Sequence, residues 1–249
     1  MIVTGMPYND GRKTEIVDVE NSNFACTNLK PFPVRMYGAT AGLINDQTPF
    51  VCGGYDDNVN SKDCYKLNDA GSWAKDQNAS LNTERHYAGF GSVVLNKNQL
   101  VLSGGDNSGG YLKTIELVTP NESSQTLSVQ LPSGFNVHCN VPWDTETFLI
   151  TGGNDYLTGG GTRTETYFVN VKTATLTNGP SLKLARRDHA CAELNVLGKS
   201  YVIVSGGQGA NKTTEILDKG NVTQGWQQPN GEGGGTGAAC PVNPRTPEP

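Results

Sequence analysis

Short apolar runs that end on paired glycines recur along this chain. Phe50-Val51-Cys52-Gly53-Gly54, Leu100-Val101-Leu102-Ser103-Gly104-Gly105, Phe148-Leu149-Ile150-Thr151-Gly152-Gly153 and Val202-Ile203-Val204-Ser205-Gly206-Gly207 are clean copies, and Met1-Ile2-Val3-Thr4-Gly5 is an incomplete one. The runs are too short for helices and rich in β-branched residues, so they read as strands. A glycine pair closing a strand points to φ > 0 or to backbone pressed against a neighbour. The fullest copy spans Leu184 to Gly207. There Ala190–Val196 and Tyr201–Ser205 flank a Leu-Gly-Lys-Ser turn, the pattern of an antiparallel hairpin. With Gly5, Gly53, Gly104, Gly152 and Gly206 taken as equivalent, the spacings are 48, 51, 48 and 54 residues. A unit of that length holds about four short strands and cannot bury its own faces, so it must stack on its neighbours.

Other landmarks recur after each glycine pair. Thr14-Glu15-Ile16, Thr164-Glu165-Thr166 and Thr214-Glu215-Ile216 open a third strand, with Thr114-Ile115-Glu116 as a variant. Trp73 and Trp226 follow in two units, and Arg85-His86 and Arg186-Arg187-Asp188-His189 precede a new inner strand. This order of hydrophobic strand, Gly-Gly, Glu strand, Trp, Arg and His resembles the kelch repeat. The resemblance covers nearly the whole chain. It implies an all-β, kelch-type β-propeller of four-stranded antiparallel blades over residues 1–243, with five recognisable repeats and a disordered tail at 244–249. Residues 1–30 supply three strands of a first blade, and the others start near Tyr37, His86, Asn136 and Asp188. Thr236–Val242 is the candidate for the missing innermost strand. A closed five-bladed ring and a part of a larger propeller both fit five repeats.

Composition narrows the function classes. The chain has 249 residues, 31 glycines and 35% hydrophobic content, which suits a turn-rich β protein. No apolar run is long enough for a membrane helix. A net charge of −5 without a basic block speaks against nucleic acid and membrane insertion. Met1 enters a strand at once, so no signal peptide is expected in this stretch.

Six cysteines carry the clearest chemistry. A hairpin would bring Cys52, at the end of one strand, against Cys64, at the start of the next, and the bridge would add about 3 kcal/mol. The alternative is two unrelated core cysteines. Cys139 and Cys191 hold matching positions on neighbouring inner strands; they either pair or pack as small hydrophobes. Cys26 and Cys240 remain. The even count favours an oxidising, extracellular setting. Cys-Gly-Gly followed by Cys64-Tyr65, with Cys26-Thr27-Asn28-Leu29, resembles invertebrate extracellular kelch-like proteins. Sequons at Asn78, Asn121, Asn211 and Asn221 permit glycosylation.

Only three histidines occur, His86, His138 and His189. Each falls near the start of an inner strand, which reads as a repeat-signature residue rather than a metal ligand or general base. A galactose-oxidase-like copper-radical site would need two His and two Tyr, one cross-linked to Cys, and no such set is visible. Gly159-Gly160-Gly161 lies between strands, so it is not a nucleotide loop, and Asp56, Asp57 and Asp106 read as solvated loop carboxylates. No cofactor and no catalytic residue is expected.

The expected function is a non-catalytic protein- or peptide-binding module. Loops between strands two and three, and between strand four and the next strand one, open on one face. The first set carries Tyr55, Asp56, Asp106, Tyr111, Asn154, Tyr156 and Gln208, and the second carries Arg85 and Arg187, with Arg35 and Arg186. Tyrosine and arginine are the usual interface hot spots. The opposing view has each arginine paired with a strand-three glutamate such as Glu15, Glu165 or Glu215. A carbohydrate-binding propeller is the remaining alternative.

Overall fold

The structure, a computed structural model, describes residues 2–4, 12–17, 26–56, 59–155 and 161–229. Tyr156, Cys240, the closing strand expected at 236–242 and the tail at 244–249 lie outside these residues. Among the described residues the chain is all-β, and its one helical turn is a 3-10 segment, Val222–Gln224. No described helix is long and apolar enough to cross a membrane.

Among the described residues five larger antiparallel sheets follow one another, each a meander in chain order, and three small sheets of two or three short strands are formed by the loops between them. The first has three strands, Ile2–Thr4, Thr14–Val17 and Cys26–Asn28. The second has four, Thr40–Ile44, Thr48–Cys52, Asp63–Leu67 and Trp73–Ser80. The third comprises Val94–Leu95, Gln99–Ser103, Ile115–Val118 and Gln125–Thr126. The fourth comprises Cys139–Pro142, Thr147–Thr151, Thr166–Asn170 and Thr175–Asn178. The fifth keeps Ala190–Val196, Lys199–Ser205 and Thr214–Asp218, with a single bridge from Ile216 to Gln227 in place of a fourth strand.

The continuous apolar runs have a direct cause. Successive side chains on a strand face opposite ways, and the second strand of each middle sheet is covered on both faces. Leu100 and Leu102 pack with Phe50 and Cys52 of the second sheet. Val101 between them packs with Phe148 and Ile150 of the fourth. Leu149 then points on to Val202 and Val204 of the fifth. Each such side chain contributes about 1.5–3 kcal/mol by leaving water. The tryptophans lock this stack through their indole N–H groups. Trp73 Nε1 donates to Thr14 Oγ1 at 3.3 Å, and Trp226 Nε1 to the Pro180 carbonyl at 2.8 Å.

Both cysteine pairings are present as disulfides. Cys52–Cys64 joins adjacent strands of the second sheet, and Cys139–Cys191 ties the inner strands of the fourth and fifth sheets. Closing loops of 12 and 52 residues removes about 3 and 4 kcal/mol of chain entropy from the unfolded state.

Two expectations from sequence change phase. His138 and His189 are equivalent, but His86 is not their counterpart; Ala88 fills that position, packed on Gly105 as His138 is on Gly153 and His189 on Gly207. Likewise Glu165 is not equivalent to Glu215. Strand pairing aligns Glu215 with Glu116, Tyr167 and Tyr65, opposite Val204, Leu102, Ile150 and Val51. In each case the motif residue lies two positions before the structurally equivalent one, His86 before Ala88 and Glu165 before Tyr167, which a linear motif does not show.

Arg85 is corrected as a surface residue. It is fully buried and ion-paired to fully buried Glu116. Its Nη1 donates to the Gly104 and Thr114 carbonyls at 2.8 and 3.0 Å. Glu116 in turn accepts the Asn82 and Thr83 amides at 2.6 and 3.0 Å. Burial pushes the Arg85 guanidinium below its ordinary pKa, and Glu116 opposes that shift. Arg186 and Glu215 repeat the arrangement in the fifth sheet. The second and fourth sheets fill the same place with Met36 beside Tyr65 and with Phe135 stacked on Tyr167.

Removing one partner leaves a buried charge unpaired, so Arg85→Met is expected to cost about 3–5 kcal/mol in urea unfolding. Arg85→Met with Glu116→Tyr copies the second sheet and is expected to recover at least half of that loss. Equal destabilisation by both variants would contradict the equivalence of these positions.

His138 and His189 give the fold an acid-sensitive element. Nε2 of His138 lies 2.8 Å from Ser103 Oγ, and Nε2 of His189 lies 2.8 Å from Thr151 Oγ1, each reaching the preceding sheet. Burial lowers both to about 3, assisted by His189 at His138 and by Arg186 at His189. The unfolded imidazole titrates at about 6.5. Their contribution is therefore complete above that value and is lost as pH falls from there towards 3. At pH 5 each histidine costs about 2 kcal/mol. The melting temperature is expected to drop between pH 7 and pH 5, and to drop less in His138→Gln/His189→Gln. Identical pH slopes in calorimetry would rule this out.

Candidate functional site at the loop edge

The residue after each buried Arg, Met or Phe pairs, at the loop edge, with the residue after the glycine pair; three of these pairs reach solvent, while Asn136 and Asn154 are themselves buried. Four such pairs form: Tyr37 with Tyr55, His86 with Asp106, Asn136 with Asn154, and Arg187 with Gln208. They share one backbone geometry and differ in chemistry. The next residue is left-handed every time, Gly38 at φ 65°, Tyr87 at 50°, Val137 at 48° and Asp188 at 53°. This conformation is unfavourable for Tyr and more so for β-branched Val, so surrounding contacts must hold it. A line of backbone hydrogen bonds does so. Tyr87 N–H donates to the Gly38 carbonyl (2.8 Å), Val137 N–H to Tyr87 (3.1 Å) and Asp188 N–H to Val137 (3.0 Å).

Gly105 shows why the glycine pair is needed here. At φ 89° its missing Cβ would lie 2.6 Å from the His86 carbonyl oxygen. The strand end can therefore pass close enough for His86 and Asp106 to pair.

The second and third sheets carry most of the aromatic surface of this edge. Ring centroids lie 5.3 Å apart for Tyr37 and Tyr55, 5.4 Å for Tyr55 and His86, and 4.6 Å for His86 and Tyr87. His86 Nδ1 stands 2.8 Å from Asp106 Oδ1, and Asp106 Oδ2 accepts from Asn136 Nδ2 at 3.0 Å. Asn154 Nδ2 donates to the Tyr111 hydroxyl at 3.0 Å. Arg187 is bound by Gln208, whose Oε1 accepts from Nε and Nη2 at 3.0 and 2.7 Å. A cleft of about 680 Å³ opens beside these groups, lined by Tyr55, Asn60, Lys62, Glu84, His86 and Asp106 among others.

The sequence-derived set thus divides. Tyr55, Asp106, Asn154, Gln208 and Arg187 share one register, and Tyr111 pairs directly with Asp106. Arg85 lies beneath them in the interior, and Tyr156 is outside the described residues. Tyr37, His86, Tyr87 and Asn136 were missed. Their signal is positional: three of them directly follow the residue that fills the buried pair. Among the described residues no three His, Cys, Asp or Glu side chains gather as a metal site.

No family model matches the sequence, and no curated protein is similar to it. The fold is similar to the solved structure of YjhT, with a TM-score of 0.64 and 15% identity over 79% of this chain. The match takes in 66% of that structure, so this chain spans just under two thirds of its length. At that identity the likeness concerns the fold alone.

Proposed function

We infer that the chain is a kelch-type β-propeller whose blades are the sheets described above. In this reading it is a non-catalytic, secreted interaction module that takes a protein or peptide partner on its loop-bearing face. The observation that carries the reading is the row of four loop-edge pairs, three of them reaching solvent. One backbone geometry is repeated while the side chains change from tyrosines to imidazole–carboxylate, amides and guanidinium. A rigid frame with variable contact residues is how loops on repeat scaffolds bind. The histidines favour binding over copper chemistry, because His138 and His189 are spent on hydrogen bonds between sheets. Two disulfides suit an oxidising compartment. The sequon asparagines Asn78, Asn121, Asn211 and Asn221 are all exposed, as glycosylation requires.

The test is capture of a partner from the extracellular fluid of the source organism. Tyr55→Ala with Arg187→Ala is expected to reduce capture more than tenfold, a loss typical of two hot-spot residues, without changing circular dichroism. Leu197→Asp alters a fully exposed turn at the opposite ends of the strands and is expected to leave capture intact. The reverse result would place binding on the other face.

A further inference from the structure

We propose that the cleft between the second and third sheets receives an arginine side chain of the partner. This rests on the loop-face binding reading above and specifies what that face recognises. The first argument is the balance of donors and acceptors. Lys62, a cation in the cleft wall, is already engaged: its Nζ donates to the Asn82 carbonyl at 2.9 Å and lies 3.6 Å from Glu84. The oxygens are less fully used. Asn60 Oδ1 is buried without a hydrogen-bond partner. Asp106 Oδ1 has His86 Nδ1 at 2.8 Å but lacks an aligned hydrogen bond; the oxygen itself is buried, in a side chain 18% exposed. A wall with spare acceptors suits a ligand made only of donors, and guanidinium has five N–H groups and no acceptor.

The second argument is shape. The tyrosine rings of residues 37, 55 and 87 gather around His86 at one margin of the cleft. A planar cation stacks on such faces, drawn by the ring quadrupole, while its edge meets a carboxylate. Neutral sugars would also stack there and donate hydroxyls to the carboxylates Glu84 and Asp106, but only a cation adds charge attraction to them. The protein's charge of −5 draws cationic partners towards it as well.

The probes are two blocked peptides, Gly-Ser-Arg-Ser-Gly and its citrulline analogue, which is nearly isosteric and uncharged. Each is titrated to roughly 10 mM, a range matched to single side-chain affinities, while the ring NMR signals of Tyr55 and His86 are followed. The arginine peptide is expected to shift both and saturate, with citrulline about tenfold weaker because a charge-assisted contact is lost. Asp106→Asn, checked by its melting temperature, is expected to erase the difference. Equal binding of the two peptides, no shift from either, or stronger shifts from a neutral disaccharide would overturn the proposal. If the peptides fail while Tyr55 remains essential for partner capture, the charge reading falls and the binding face stands. If capture ignores Tyr55, both fall.

Discussion

The buried position shared by Arg85–Glu116, Arg186–Glu215, Met36–Tyr65 and Phe135–Tyr167 fixes how each sheet is joined to the loop entering its inner strand. In the ionic version the guanidinium holds the glycine carbonyl at the strand end, and the glutamate holds two amides of the incoming loop. One pair therefore clamps three segments. The apolar version reaches the same geometry by packing. That both occur in one chain fits the energetics of buried ion pairs, which rarely stabilise more than well-packed apolar groups of similar volume. The clamp constrains shape, and either chemistry supplies it.

The loop-edge pairs depend on this clamp. With the buried residue held, the next residue is set at the loop edge and the one after it turns left-handed. Tyr87 and Val137 accept that strain because the backbone hydrogen bonds from Gly38 to Asp188 run through them. Strain of about 1–3 kcal/mol per residue persists only where the surroundings over-determine it. The cost is spread over a row that fixes Tyr37, His86, Asn136 and Arg187 in a common register. Tyr37, His86 and Arg187 reach solvent there and are freer to differ than buried Asn136, which donates to Asp106.

The strands and the glycine pairs were readable from sequence because they obey local rules. Alternation fixes which residues are buried, and positive φ with close backbone approach demands glycine at positions 104 and 105. Cys52 and Cys64 were readable because a hairpin pairs strand ends. The roles of arginine and histidine were not. Arg85-His86 and Arg186–His189 look like variants of one motif, yet the arginines match and the histidines do not. A linear pattern cannot show which side of the left-handed residue a histidine falls on. Before it, as at His86, the ring faces outward; after it, as at His138 and His189, the ring is buried against the preceding sheet. For the same reason Arg187, not Arg186, reaches the loop edge.

The contact between successive sheets has two parts, apolar residues in alternation and a hydroxyl offered to a histidine. Ser103 and Thr151 offer theirs to His138 and His189. Ser205 occupies the equivalent place in the fifth sheet, on the face shared with Tyr201 and Ile203, and it is exposed. Leu194 and Val196 on that face are 42% and 41% exposed. The Lys199–Ser205 strand is nonetheless not a surface strand by composition. Its alternation and its hydroxyl match those of sheets covered on both sides, and only the neighbour differs. Burial in this architecture is set by the next repeat, not by the strand itself, which is the energetic rule of stacked repeats. Val202 and Val204, facing the fourth sheet, are fully buried, whereas Ile203 between them is not.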